Sequence, residues 1–240
     1  MKVLVLTATL CLSPLIVAAE TAQERLKAAA DVFHEVMATP DKSIPRELLE
    51  KAQCAVIVPG LKKGAFIVGG EFGKGFVICR NNSGSGWGAP AAIRVEGGSV
   101  GFQIGGEGTD VVMLVMNPHG ADQLTKSKFT LGGDASIAAG PVGRTSTAQT
   151  DAYMSAEILS WSRAKGLFAG VALKGATLRP DEDANRELYA RKLTTREIVR
   201  TDMQPPAAAT DLIAALDQYS MHKGSSADRE KSNRIVSAPL

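Results

Sequence analysis

Between Cys54 and Met116 the chain is a succession of short apolar runs broken by glycine, and this stretch limits the fold more than any other feature. The run 54–58 stops at Pro59-Gly60, the runs 65–68 and 75–79 flank a glycine-rich segment, and 91–95 leads into Gly97-Gly98. Apolar runs of this length bounded by Gly or Pro are strand signals, and connections this short favour antiparallel pairing. In 100–104 bulky Val100, Phe102 and Ile104 alternate with Gly101 and Gln103, so one face fills a core and the other admits close approach. Residues 111–116 are apolar throughout, as in a strand buried on both faces. Further on, 135–139, 153–161 and 167–173 read as strands, the first closed by Gly140-Pro141-Val142-Gly143.

Helical periodicity brackets this region. Thr21 and Glu24 form a capping-box pattern, after which Leu26, Ala29, Ala30, Phe33, Val36 and Met37 recur at helical spacing up to Thr39-Pro40. That apolar stripe can pack on a sheet or enter a membrane interface, and amphipathicity alone does not separate the two. A short helix follows Pro45, and another follows Pro118. Asp181-Glu182-Asp183 opens a helix closed by Arg191-Lys192, complementing the helix dipole, and Thr194 with Glu197 is a second capping box. The fold class is α+β: a strand-rich, mostly antiparallel sheet core with helices at the N- and C-terminal ends. Residues 20–203 form the domain. Pro205-Pro206 marks a boundary, beyond which 204–240 holds a helix near 211–219 and a polar tail with the composition of a disordered segment.

Residues 1–19 have the form of a secretory leader: Lys2, an apolar run to Leu12, and small residues before Glu20. The localisation expected is export, periplasmic or extracellular, peripheral to a membrane. Leu10 before Cys11 disfavours lipidation. Of 27 basic and 25 acidic residues one cation, Lys2, lies in the leader, so the remainder is close to neutral. Such a balance gives no general attraction to nucleic acid, and scarce aromatics argue against single-strand binding. Cys54 and Cys79 remain after the leader; an oxidising compartment permits a disulfide, and two small buried hydrophobes fit the sequence equally. Without a Cys/His cluster no metal site is expected, and no cofactor.

The catalytic strings fail on context. Gly69–Lys74 resembles a phosphate loop but is one residue short and lacks the following Ser or Thr, so it reads as a glycine turn. Gly97-Gly-Ser99-Val-Gly101 fits a nucleophile elbow, which needs a strand, a sharp turn and a helix; the residues after Ser99 alternate like a strand. A serine hydrolase using Ser99 with His119 is the weakest reading, and no catalytic residue is assigned. The basic residues carry more. Lys62, Lys63, Lys74, Arg144, Arg163 and Lys165 all fall at expected turns, where a cluster would draw anionic headgroups by about 1 kcal/mol per residue.

At Ser162-Arg-Ala-Lys-Gly-Leu-Phe-Ala-Gly-Val-Ala-Leu-Lys-Gly175 the chain closely resembles the signature segment of the SYLF domain. Phe129-Thr-Leu-Gly-Gly-Asp134, Ala138-Ala-Gly-Pro-Val-Gly-Arg144, Val56-Ile-Val-Pro59, Trp87-Gly-Ala-Pro90 and Gly101-Phe-Gln-Ile-Gly105 agree in order and type, a match from about Glu24 to Val199. The resemblance implies a non-enzymatic lipid-binding module. Eukaryotic members are described as binding phosphoinositides and, in some cases, actin, beside SH3 or FYVE domains; the leader points to a compartment where anionic phospholipid of the envelope is the milder inheritance. The function expected is therefore an envelope protein that recognises anionic phospholipid headgroups through basic turns. The alternative is a structural or stress-related envelope protein that binds protein partners.

Overall fold

The structure is a computed structural model and describes residues 20–38, 43–65, 68–82, 86–100, 108–143, 155–164, 167–171 and 173–220. Side-chain alternation builds its centre. In β1 (Cys54–Ala65), Ala55 and Ile57 face one way and Cys54, Val56 and Val58 the other; Val112 and Leu114 oppose Val111, Met113 and Val115 in β4 (Gly108–Val115) in the same manner. Two buried clusters, one on each face, result. With β2 (Val68–Cys79), β3 (Ala91–Val100), β5 (Phe129–Thr130), β6 (Ile137–Ala139), β7 (Ile158–Ala164), β8 (Leu167–Gly170) and β9 (Thr177–Pro180), these strands make one sheet in the order β5-β9-β3-β2-β1-β4-β7-β6, and β8 also pairs with β7. Every pairing except β6 with β7 is antiparallel, and the α+β expectation holds.

Helix α1 (Ala22–Ala38) lays Leu26, Phe33 and Val36 on the first face, joined by α2 (Arg46–Lys51) and α6 (Thr210–Ser220). Its stripe is therefore packed, with Leu26 and Phe33 fully buried. The opposite face is covered by residues around α3 (Pro118–Gln123), by the 129–137 and 173–178 segments, and by Ile198 and Val199 of α5 (Thr195–Arg200). Helix α4 (Glu182–Tyr189) follows β9 and starts at Asp181, whose carboxylate accepts from the Ala184 N–H. Both capping boxes form, Thr21 with Glu24 and Thr194 with Glu197. The boundary at Pro205-Pro206 does not separate folded units: Leu212, Ala215 and Leu216 of α6 share the cluster that holds α1.

The sheet departs from expectation where glycine was read as a turn. Pro59-Gly60 does not end β1 but forms an irregularity inside it, with Gly60 at φ 57° and its N–H donated to Asp110 Oδ1 at 2.9 Å. Likewise Gly69, Gly70, Gly73 and Gly75 lie within β2, and Gly97-Gly98 within β3. The reason is a close crossing. A Cβ on Gly75 would stand 2.1 Å from the Ile57 carbonyl oxygen, and one on Gly73 2.7 Å from Leu61 Cδ1. The irregular half of β1 folds down onto β2 at Gly73 and Gly75, two of the positions where β2 has no side chain. The segments 101–107 and 144–154, like the leader and the tail beyond 220, lie outside the described residues.

Candidate functional site

Six basic residues were expected at turns. Lys62 and Lys63 lie instead inside β1 and Lys74 inside β2, because the glycines around them are strand residues. Arg144 and Lys165 lie outside the described residues. Arg163 stands near the end of β7. Register nevertheless brings three of the six to one face. Lys62 pairs with Phe72, Lys74 lies two residues further along β2 toward Phe76, and Arg163 lies two beyond Trp161; Phe76 and Trp161 both belong to the helix-covered face.

Two more cations join them that sequence reasoning missed. Arg94 of β3 sits opposite Lys74 and also opposite Arg179 of β9, so Lys74, Arg94 and Arg179 form one row across three strands. Cross-strand like charges are destabilising unless compensated. Compensation comes from the neighbouring rows on the same face: Lys74 Nζ meets Asp181 Oδ2 at 2.9 Å, and Glu96 reaches Arg94 Nε at 3.1 Å and Arg179 Nε at 3.5 Å. Arg163 donates to Asp110 Oδ2 from Nη2 at 2.7 Å and from Nε at 3.1 Å, and also contacts Glu35 of α1. Asp110 thus holds both the Gly60 irregularity and Arg163. Lys62 is exposed and makes no ion pair among the described residues; it flanks Phe72, which is 47% exposed. The signal for Arg94 and Arg179 was register, which pairs residues far apart in sequence.

The hydrolase geometry is absent. Ser99 lies in β3 opposite Gly69, at the end of the sheet where β1 reaches Ala65. His119 is on α3, at the other end, where Cys54 pairs with Val115. The ladder between those levels is on the order of 30 Å long. His119 Nδ1 instead meets Glu157 Oε1 at 2.5 Å, and Glu157 Oε2 accepts from the Ser136 N–H at 2.8 Å. Partial burial pushes the Glu157 carboxyl up, but bonds from Ser136 and His119 outweigh it and hold it below the usual carboxylate range.

At that same end Cys54 and Cys79 face each other in register and their sulfurs are joined. Beside them Arg80 stacks on Trp87, 4.2 Å from the ring centroid, and gives N–H groups to the Leu49, Glu50 and Ala52 carbonyls and to Ser220 Oγ. Burial lowers its pKa and raises that of nearby Asp217. Arg80 therefore ties α2, β2 and α6 together, a structural role. A cavity of about 380 Å³ opens there, and a second, of about 370 Å³, lies between the start of α4 and the Arg94–Arg179 pair. Among the described residues no His/Cys/Asp/Glu group is arranged to hold a metal ion, and no helix is long and apolar enough to cross a membrane.

A family profile, Ysc84, described as "Las17-binding protein actin regulator", matches residues 96–219, from β3 through α6. SH3 domain-containing protein PJ696.02 of Schizosaccharomyces pombe is 37% identical over 77% of the chain and 44% of its own length. SH3 domain-containing YSC84-like protein 1 of Homo sapiens is 35% identical over 75% of the chain and 52% of its own length. LAS seventeen-binding protein 3 of Saccharomyces cerevisiae is 33% identical over 74% of the chain and 39% of its own length. The chain thus spans about half or less of the curated relatives it matches, and one of these, LAS seventeen-binding protein 3, is named for binding. With the profile covering half the sequence and relatives above 30% identity covering three quarters of it, the chain belongs to the Ysc84 family, whose domain is the SYLF domain.

Proposed function

We propose that this chain is a non-catalytic, peripheral lipid-binding protein of the cell envelope that recognises anionic phospholipid headgroups. One observation carries the reading: Lys62, Lys74, Arg94, Arg163 and Arg179, from five different strands, are brought to one face of the sheet. Lys62, which makes no ion pair among the described residues, lies beside half-exposed Phe72, and a cation next to an apolar group is the combination an interfacial surface uses. Lys63, Arg144 and Lys165 belong to the same reading on sequence alone, and the leader-like residues 1–19 supply the envelope location.

Flotation of the chain without residues 1–19 tests it, with vesicles of neutral phosphatidylcholine and of phosphatidylcholine containing phosphatidylglycerol, at low ionic strength. Binding to the anionic vesicles is expected, weakened at least about fivefold by Lys62→Glu, which removes one surface cation worth about 1 kcal/mol and adds an anion. Failure to float with either vesicle removes the proposal. A second reading, partnership with a protein, is favoured by the name of one relative, LAS seventeen-binding protein 3, and by the description of the family profile. Stoichiometric capture of one protein in lipid-free buffer, with no vesicle binding, would favour it.

A further inference from the structure

Arg94 and Arg179 lie directly opposite each other and share a single carboxylate, Glu96. Both contacts are ion pairs by distance, yet neither guanidinium makes a hydrogen bond among the described residues, and both Nε atoms are buried without an acceptor. Buried donors lacking acceptors are rare and call for an explanation. The two side chains line the cavity of about 370 Å³ that also includes Ser127, Asp181, Glu182 and Asp183. The acids there do not oppose an anion as strongly as their number suggests. Asp181 is paired with Lys74 at 2.9 Å, although its Oδ2, like the two Nε atoms, makes no hydrogen bond among the described residues; Asp183 is paired with Arg186 at 3.1 Å, and Glu182 approaches Lys192 at 3.8 Å. Each acid has its own cation, whereas the two arginines have one carboxylate between them, so the local balance is positive by one charge.

From this arrangement we propose that the cavity is an anion site for a phosphomonoester, held by the Arg94 and Arg179 guanidinia with Ser127 at its rim. Planar guanidinium forks match phosphate oxygens, and two forks on adjacent strands can take separate oxygens of one group. A phosphate would supply the acceptors both arginines lack. The group can be the headgroup of a lipid or belong to a soluble compound; the lipid source rests on the function proposed above, the soluble one does not.

Titration calorimetry with glycerol 1-phosphate, and flotation with phosphatidic acid vesicles, separate these sources. Parent protein, Arg94→Gln and Arg179→Gln are compared, with thermal melts matching the parent as the folding control. Arg179→Lys keeps the charge and removes the fork, and should recover only part of the affinity. The expected result is about tenfold weaker binding of glycerol 1-phosphate for each Gln variant, the loss of one charge-assisted contact. Competition by glycerol 1-phosphate against vesicle binding assigns the site to a lipid headgroup. Soluble binding lost in the variants, with no vesicle binding, keeps the anion site and removes the lipid reading. Vesicle binding unchanged in both Gln variants, with no glycerol 1-phosphate binding by the parent, overturns the anion site and leaves the lipid reading standing. Absence of all binding removes both.

Discussion

Gly140→Ala tests whether the second half of the sheet is closed by steric fit. Gly140 follows β6 and lies against the indole of Trp161, which is fully buried and donates its Nε1–H to the Pro141 carbonyl at 2.9 Å. An added Cβ would stand 2.0 Å from Trp161 Cε2 and 2.1 Å from Cζ2, so roughly 1.5 Å of movement is needed to reach ordinary contact. The indole cannot retreat easily, because the same crossing brings Gly170 so close that its own Cβ would be 2.1 Å from the Gly140 carbonyl oxygen. Overpacking of this kind costs about 1–3 kcal/mol, and displacing the indole from Pro141 adds about 1 kcal/mol, giving roughly 2–4 kcal/mol in all. Gly140 is not among the described glycines of positive φ, so the cost is steric. Gly60→Ala is the conformational counterpart: φ is 57° with open space around it, and about 1–2 kcal/mol is expected. Equilibrium urea unfolding followed by circular dichroism measures both. Trp161→Leu should absorb the clash, so Gly140→Ala added to it should cost under about 1 kcal/mol, a coupling of at least about 1 kcal/mol. A Gly140→Ala protein within about 1 kcal/mol of the parent, or additive behaviour in the cycle, would refute the steric argument.

Arg80→Met should lower stability by about 2–3 kcal/mol in the same assay, since three carbonyls and Ser220 lose a charged donor. Replacing both Cys54 and Cys79 by Ala, or reducing the parent, should cost about 3.5 kcal/mol of unfolded-state constraint for a sequence separation of 25; unchanged urea midpoints would show that the thiols are free in the purified protein. The Glu157 carboxyl is depressed in the folded state, so its stabilisation is present above the unfolded value of 4.5 and is lost as pH falls below it. Glu157→Gln should therefore flatten the acid side of the stability curve, and a parallel shift of the parent and variant curves would contradict the assignment. Burial raises Asp217, which acts in the opposite sense: its contribution is lost as pH rises through its folded value.

The elements legible in the sequence were those whose cause is local. The Thr21/Glu24 and Thr194/Glu197 boxes, the short helix at Pro118 and the two-faced apolar run 111–116 each act within a few residues, and each is found, the run as a strand ending at Val115. The glycine segments were misread because glycine signals either a turn or a close approach, and a neighbouring strand decides which. Nothing in residues 69–75 announces that Ile57 and Leu61 will lie across them. The candidate site was half legible for the same reason. Lys62, Lys74 and Arg163 were singled out, but as turn residues; Arg94 and Arg179 became visible only when register set them beside Lys74. Composition placed a boundary at Pro205-Pro206, whereas packing continued through Leu216.

The arrangement of charge on this face limits how it can recognise anything. Cross-strand pairing puts cation against cation, and the carboxylates stand in adjacent rows on the same face. Mutual stability alone would favour alternating signs within a row, because opposed like charges each cost a fraction of a kcal/mol. Seen from a Debye length of about 10 Å, the rows merge and the face is close to neutral, so it cannot steer an anion from a distance. At contact distance the row is still positive, and a phosphate among Arg94 and Arg179 meets donors rather than an averaged field. Lys62, outside these pairs, is the group whose influence extends further. Raising salt from about 0.05 M to about 0.3 M should therefore abolish most of the effect of Lys62→Glu on vesicle binding, yet leave the losses in Arg94→Gln and Arg179→Gln largely intact. Equal salt sensitivity of all three variants would mean that the arginines act only as diffuse charge, and that the shared Glu96 carboxylate satisfies them both.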